Sequence, residues 1–172
     1  MGSKSSRTNS FARWRRDDRG AAAVEFAFVA PVLFFSVLSL LEIGMMGMMI
    51  SQLDNAVIEV ARRIRTGQDT APTSSVAFED QVCAALHGVG GACRDRLTIS
   101  VRRFDSFSNA NDVASNPPDG QFDLGGPGDI MVVKVDYKWP LTTPFLATAF
   151  HRDGPMDVTL GARTAFKNEP YQ

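Results

Sequence analysis

Residues 21–50 read AAAVEFAFVAPVLFFSVLSLLEIGMMGMMI, and this stretch decides the architecture. No charged side chain occurs from Phe26 to Leu41; Glu42 interrupts, and the apolar run resumes to Ile50. A bilayer core of about 30 Å is crossed by roughly 20 helical residues, and the stretch supplies them. Phe, Leu and Val fall on all faces of such a helix, unlike the one-sided stripe expected on a small soluble domain. A cleaved secretory signal has a shorter apolar core and a small-x-small site at its far end, where this chain has LEIGMMGMMI. The reading is a single-pass anchor whose membrane part covers about 24–48.

The flanks orient it. Residues 1–19 hold Lys4, Arg7, Arg13, Arg15, Arg16 and Arg19 against Asp17 and Asp18, a net charge of +4. The 172-residue chain totals −1, so the remainder carries −5. Basic residues before a span predict a cytoplasmic N-terminus and an exported C-terminal part. The whole chain is 44% hydrophobic and 22% charged, which excludes a wholly disordered polymer. Two cysteines exclude a disulfide-dense scaffold, and near-neutral charge argues against a nucleic-acid partner.

Gly20-Ala21-Ala22-Ala23-Val24-Glu25-Phe26 reads G-x-x-x-x-E-F at the border of the basic leader and the apolar run. Glu25 stands out, because an ionisable group inside a span is costly and points to function; the plainer alternative is a side chain that snorkels to the headgroups. Pro31 removes one helical hydrogen bond and predicts a kink or loosening near 27–31. Gly44 and Gly47, one turn apart, allow close helix approach in lipid, and the methionines around them read as packing.

This junction resembles the processing site of type IV prepilins, and its Glu-Phe pair resembles the tight-adherence (Tad, or Flp) subclass. GAAAVEFAFVAPVLFF, with Pro31, is similar to TadE-like pseudopilins, and so is the Asn168-Glu169-Pro170 string near the C-terminus. The resemblance implies that a prepilin peptidase cuts between Gly20 and Ala21 and releases the leader, 1–20. Glycine at the cut offers no side chain to obstruct the peptidase. It also implies that Glu25 and Phe26 serve recognition and assembly. Glu25 then pairs with the new α-ammonium of a neighbouring subunit, a buried pair suited to fixing register.

Beyond Ile50, Leu53, Val57, Ile58, Val60, Ala61 and Ile64 recur at helical spacing, and Gly67 reads as a stop. A continuous helix over 21–66 is expected, about 69 Å long, with Arg62, Arg63 and Arg65 solvated or paired with acids. A domain over 67–172 follows. Ser74 or Ser75 is expected to cap a second helix with Cys83, Leu86 and Val89 on its apolar side, ended by Gly88 and Gly90-Gly91. Leu97–Phe104, Asp129–Tyr137 and Asp157–Phe166 read as strands, and 144–150 as a short helix or apolar contact loop. Residues 105–128 read as a long polar loop. The expected fold class is α+β and pilin-like: a long N-terminal helix, a second helix and an antiparallel sheet of about three strands.

Cys83 and Cys93 are the only cysteines; in an exported domain an even pair reads as one disulfide, with two unpaired thiols as the alternative. His87 and His151 lie in no motif, and no HExxH, Walker loop or nucleophile elbow occurs. Asp119, Asp123 and Asp129 match no metal-site spacing, though a loop Ca²⁺ site is the rival reading. The expectation is no enzyme, no metal and no cofactor. The resemblance implies a minor pilin held in a bacterial inner membrane and then incorporated at a pilus tip or priming complex. Its partners would be the prepilin peptidase, other pilins and pseudopilins, the inner-membrane assembly platform and membrane lipid. The alternatives are an uncleaved, signal-anchored periplasmic domain and a TadF-like pseudopilin.

Overall fold

The computed structural model describes residues 20–86, 92–106, 120–150 and 156–170. Helix α1 runs unbroken over Ala21–Arg65, 45 residues, with Pro31 inside it. Its end follows from Gly67, whose φ of +60° suits a residue without a Cβ. The Gly67 N–H donates to the Ile64 carbonyl (3.1 Å) and the Gln68 N–H to that of Arg63 (3.0 Å). This crossed pair satisfies carbonyls that the helix leaves open.

Helix α2 (Ser75–Ala85) starts at Ser74, whose hydroxyl accepts the Ala77 N–H at 3.2 Å. Its apolar side includes Leu86 as expected but is otherwise shifted. Phe78, Val82 and Leu86, four residues apart, are the buried positions, and Cys83 sits at the edge of the core. The helix stops at Ala85, ahead of Gly88; His87 to Gly91 lie outside the described residues. A single turn, α3 (Cys93–Arg96), which the sequence did not announce, leads into the first strand.

The sheet is antiparallel in the order β1 (Leu97–Phe104), β2 (Ile130–Pro140), β3 (Asp157–Lys167), with Val101 opposite Val133 and Val135 opposite Ala162. Alternate residues Leu97, Ile99, Val101, then Met131, Val133, Val135, Tyr137, then Val158, Leu160, Ala162, are buried. The outer part of α1 covers that face with Leu53, Val57, Val60 and Ile64. Period two on the strands thus meets period 3.6 on the helix. A further short helix, α4 (Pro144–Ala149), follows β2.

The second half of the expected polar loop has a structural role. Residues 120–123 run parallel to β1 along its free edge: the Val101 N–H donates to the Gln121 carbonyl (2.8 Å) and the Asp123 N–H to that of Val101 (2.9 Å). Phe122 packs edge-on against Phe78, ring centres 6.4 Å apart. Covering an edge in this way removes a template for unwanted strand pairing.

Candidate processing and assembly surface

Gly20 occupies the N-cap of α1 with φ −89° and ψ −13°, values any L-residue adopts. A Cβ built there meets nothing within 4 Å. The fold therefore does not require glycine at 20. The residues from Gly20 to Val29 are exposed, Glu25 and Phe26 among them. Among the described residues Glu25 has no ion-pair partner. Ala21 and Glu25, four residues apart, share one helix face. Residues 1–19, the rest of the expected leader, lie outside the described residues.

From Val24 to Leu41 twelve large apolar side chains are exposed, with Phe28 at 77% and Leu40 at 69%. Exposure this continuous runs against a buried core helix and marks a surface that needs lipid or protein around it. The helix is long and apolar enough to cross a membrane once. Gly44 and Gly47 are also exposed, with open space where a Cβ would stand.

The domain takes hold of α1 from Ser39 outward: Ser39, Glu42, Met46 and Met49 are buried at helical spacing. Glu42 is 2% exposed. Its carboxylate accepts the Thr142 N–H at 2.5 Å and the Thr143 N–H at 2.8 Å. The Trp139 indole N–H lies near the same carboxylate, outside normal hydrogen-bond geometry. A buried carboxylate is tolerable because these donors satisfy it, and the same contact removes two orphan N–H groups at the start of α4. Sequence reasoning took Glu42 only as an interruption. The available signal was a lone carboxylate at the outer end of an apolar run, with Thr142-Thr143-Pro144 opening a short helix elsewhere.

The C-terminal string is a latch at the far end of α1. Asn168 is 2% exposed; its Nδ2 donates to the carbonyls of Leu124 (3.0 Å) and Gly126 (3.1 Å). Its backbone N–H donates to the Asp129 carbonyl (2.8 Å), and its own carbonyl accepts the Gly128 N–H (3.1 Å). The Glu169 N–H donates to the Arg65 carbonyl (2.9 Å), closing one of the last open carbonyls of α1, and its side chain pairs with Arg65 at 3.2 Å. Pro170 follows, exposed. Gly125, with φ +60°, completes the loop beneath; a Cβ there would lie 2.7 Å from Met131 Sδ.

Cys83 and Cys93 are joined by a disulfide, Cα–Cα 5.9 Å, tying α2 to α3. Arg94 and Asp80 form an ion pair beside it. Glu59 pairs with Arg62 (2.9 Å) and Arg63 (3.5 Å), so these arginines have acidic neighbours. Asp123 and Asp129 are engaged in turns, accepting the N–H groups of Gly125 (2.9 Å) and Gly126 (2.6 Å). Among the described residues no cluster of potential metal ligands occurs. Asp119, His87 and His151 lie outside them. The structure does not gather the sequence-predicted residues into one place. The Gly20–Phe26 junction and the Asn168–Pro170 latch mark opposite ends of α1, and the disulfide belongs to the outer domain.

Comparison with known proteins bears on the helix. Residues 20–62 match the family model described as TadE-like protein, a segment covering one quarter of the chain and nearly all of α1. No curated protein and no solved structure matches the chain significantly.

Proposed function

We propose, from the TadE-like sequence of residues 20–62, that this chain is a minor pilin (pseudopilin) of a tight-adherence pilus, a structural subunit and not an enzyme. The observation that carries the reading is the coincidence of that match with a helix whose first half is apolar and exposed on all faces. The precursor sits once across the bacterial inner membrane, its basic leader in the cytoplasm and the disulfide-bearing domain outside. A prepilin peptidase reads the Gly20–Phe26 junction and cuts after Gly20. This accounts for a glycine that the fold itself leaves unexplained.

Cleavage places an α-ammonium on Ala21 at the positive end of the helix dipole, where it is unfavourable. Glu25 of an adjacent subunit offsets it as lipid gives way to neighbouring helices. Gly44 and Gly47 leave room for those helices to approach. The partners on this reading are other pilins and pseudopilins and the inner-membrane assembly platform. The test is Glu25→Leu in the native cell. The variant, its cleavage followed separately by N-terminal sequencing, should be absent from sheared pili, with surface adhesion reduced. Normal incorporation of Glu25→Leu would remove Glu25 from assembly.

A further inference from the structure

Resting on the single-pass reading, we infer that the segment 141–150 is a second membrane-inserting element, dipping into the outer leaflet beside α1 and contacting lipid acyl chains. Its position along the helix is the first ground. Thr142 and Thr143 are held at the level of Glu42, whereas Pro144 and Phe145 face Val32, Phe35 and Ser36 across an open apolar groove of about 500 Å³. The chain therefore descends along α1 by six to ten helical residues, about 9–15 Å. If the hydrocarbon covers the fully exposed stretch ending near Leu41, Phe145 lies inside it.

The chemistry of the segment is the second ground. LTTPFLATAF, 141–150, holds no charged side chain. Phe145 is 66% and Phe150 37% exposed, and Phe145 lines the groove against the apolar band of α1. Polar groups entering hydrocarbon must be satisfied internally. Glu42 accepts the N–H groups of Thr142 and Thr143, Pro144 has none, and the Leu146 N–H donates to the Thr143 carbonyl (3.1 Å). The Phe150 N–H donates to the Leu146 carbonyl (3.1 Å), and the Thr148 hydroxyl to that of Phe145 (2.8 Å). Glu42 is thus the device that lets a loop leave the domain and enter lipid. The groove then holds an acyl chain and fixes the tilt of the domain on the membrane.

The experiment reconstitutes the full chain, at low protein-to-lipid ratio, in phosphatidylethanolamine–phosphatidylglycerol vesicles carrying a diazirine in the acyl chain. Labelled peptides are mapped after photolysis. The expected result is labelling in both 26–41 and 141–150. Phe145→Asp should lower labelling of 141–150 by at least about tenfold, the factor for a charge placed in hydrocarbon, and leave 26–41 labelled. Because Phe145 is exposed, this variant keeps the core, and an unchanged thermal unfolding profile checks it. Labelling of 26–41 without 141–150 would overturn the inference and leave the anchor intact. A disulfide between two copies of the Phe145→Cys variant, in place of lipid label on 141–150, would also overturn it and assign the segment to a second copy. Absence of label in both segments would overturn the anchor and the inference together.

Discussion

The Glu42 carboxylate accepts the backbone N–H of Thr143 at 2.8 Å across 101 positions of sequence, while its other oxygen takes the N–H of Thr142. This contact sets the height at which the domain grips α1. Below Ser39 the large apolar side chains of the helix are exposed; above Glu42 a stripe from Met46 to Ile64 is covered by the sheet and α2. A carboxylate that looks like a flaw in an apolar run is the point where the exposed apolar helix becomes part of a folded domain.

Glu42→Ala leaves two buried N–H groups without an acceptor. It should lower stability by about 2–6 kcal/mol, at about 1–3 kcal/mol for each orphaned group. Glu42→Gln keeps one acceptor oxygen and should lose less. Thermal unfolding of the detergent-solubilised protein, with the two variants side by side, checks the order. Equal stability of Glu42→Ala and the parent would show that the clasp contributes nothing.

The disulfide closes a short loop between positions ten apart and restrains the unfolded chain more than it adds native contacts. Cys83→Ser with Cys93→Ser should lower stability by about 2–3 kcal/mol. Reductant should shift the denaturant midpoint of the parent and leave that of the double variant unchanged.

Asn168 and Glu169 are neighbours with different expected costs. Asn168→Ala removes two donors to loop carbonyls from a buried site and should cost about 1–3 kcal/mol. Glu169→Ala loses an exposed ion pair to Arg65 and keeps its backbone bond, so its cost should be under about 1 kcal/mol. Denaturant melts of the pair would separate the buried latch from the surface charge.

Much of this was legible in the sequence because periodicity reports on one element at a time. The spacing from Leu53 to Ile64, the alternation from Leu97 to Val101 and the run Ile130–Tyr137 each identify a buried face locally. Contacts between distant segments carry no such signal. Glu42 gives no hint of Thr142, and Phe122 sits in a polar, glycine-rich stretch although it packs on Phe78. On α2, Cys83 drew attention as chemistry while Phe78 and Val82 form the core contact. The Asn168-Glu169-Pro170 string was visible only as a resemblance. Its physical role, holding loop 124–129 and the end of α1, appears once both ends of the chain are folded.

The junction at residues 20–26 differs from these elements. Gly20, Glu25 and Phe26 are explained by no contact among the described residues. A Gly20→Leu variant should therefore fold as the parent does, with an unchanged melting profile, and lose only its processing. A loss of stability in that variant would show that the fold needs this glycine after all.

The most direct measurement is the intact mass and N-terminal sequence of the protein from its native membrane, in cells with an active prepilin peptidase. The account predicts a chain of 152 residues starting at Ala21, replaced by the full 172 residues when Gly20 is changed to Leu. A native protein that still carries residues 1–20 would contradict the prepilin reading and leave an uncleaved anchored domain.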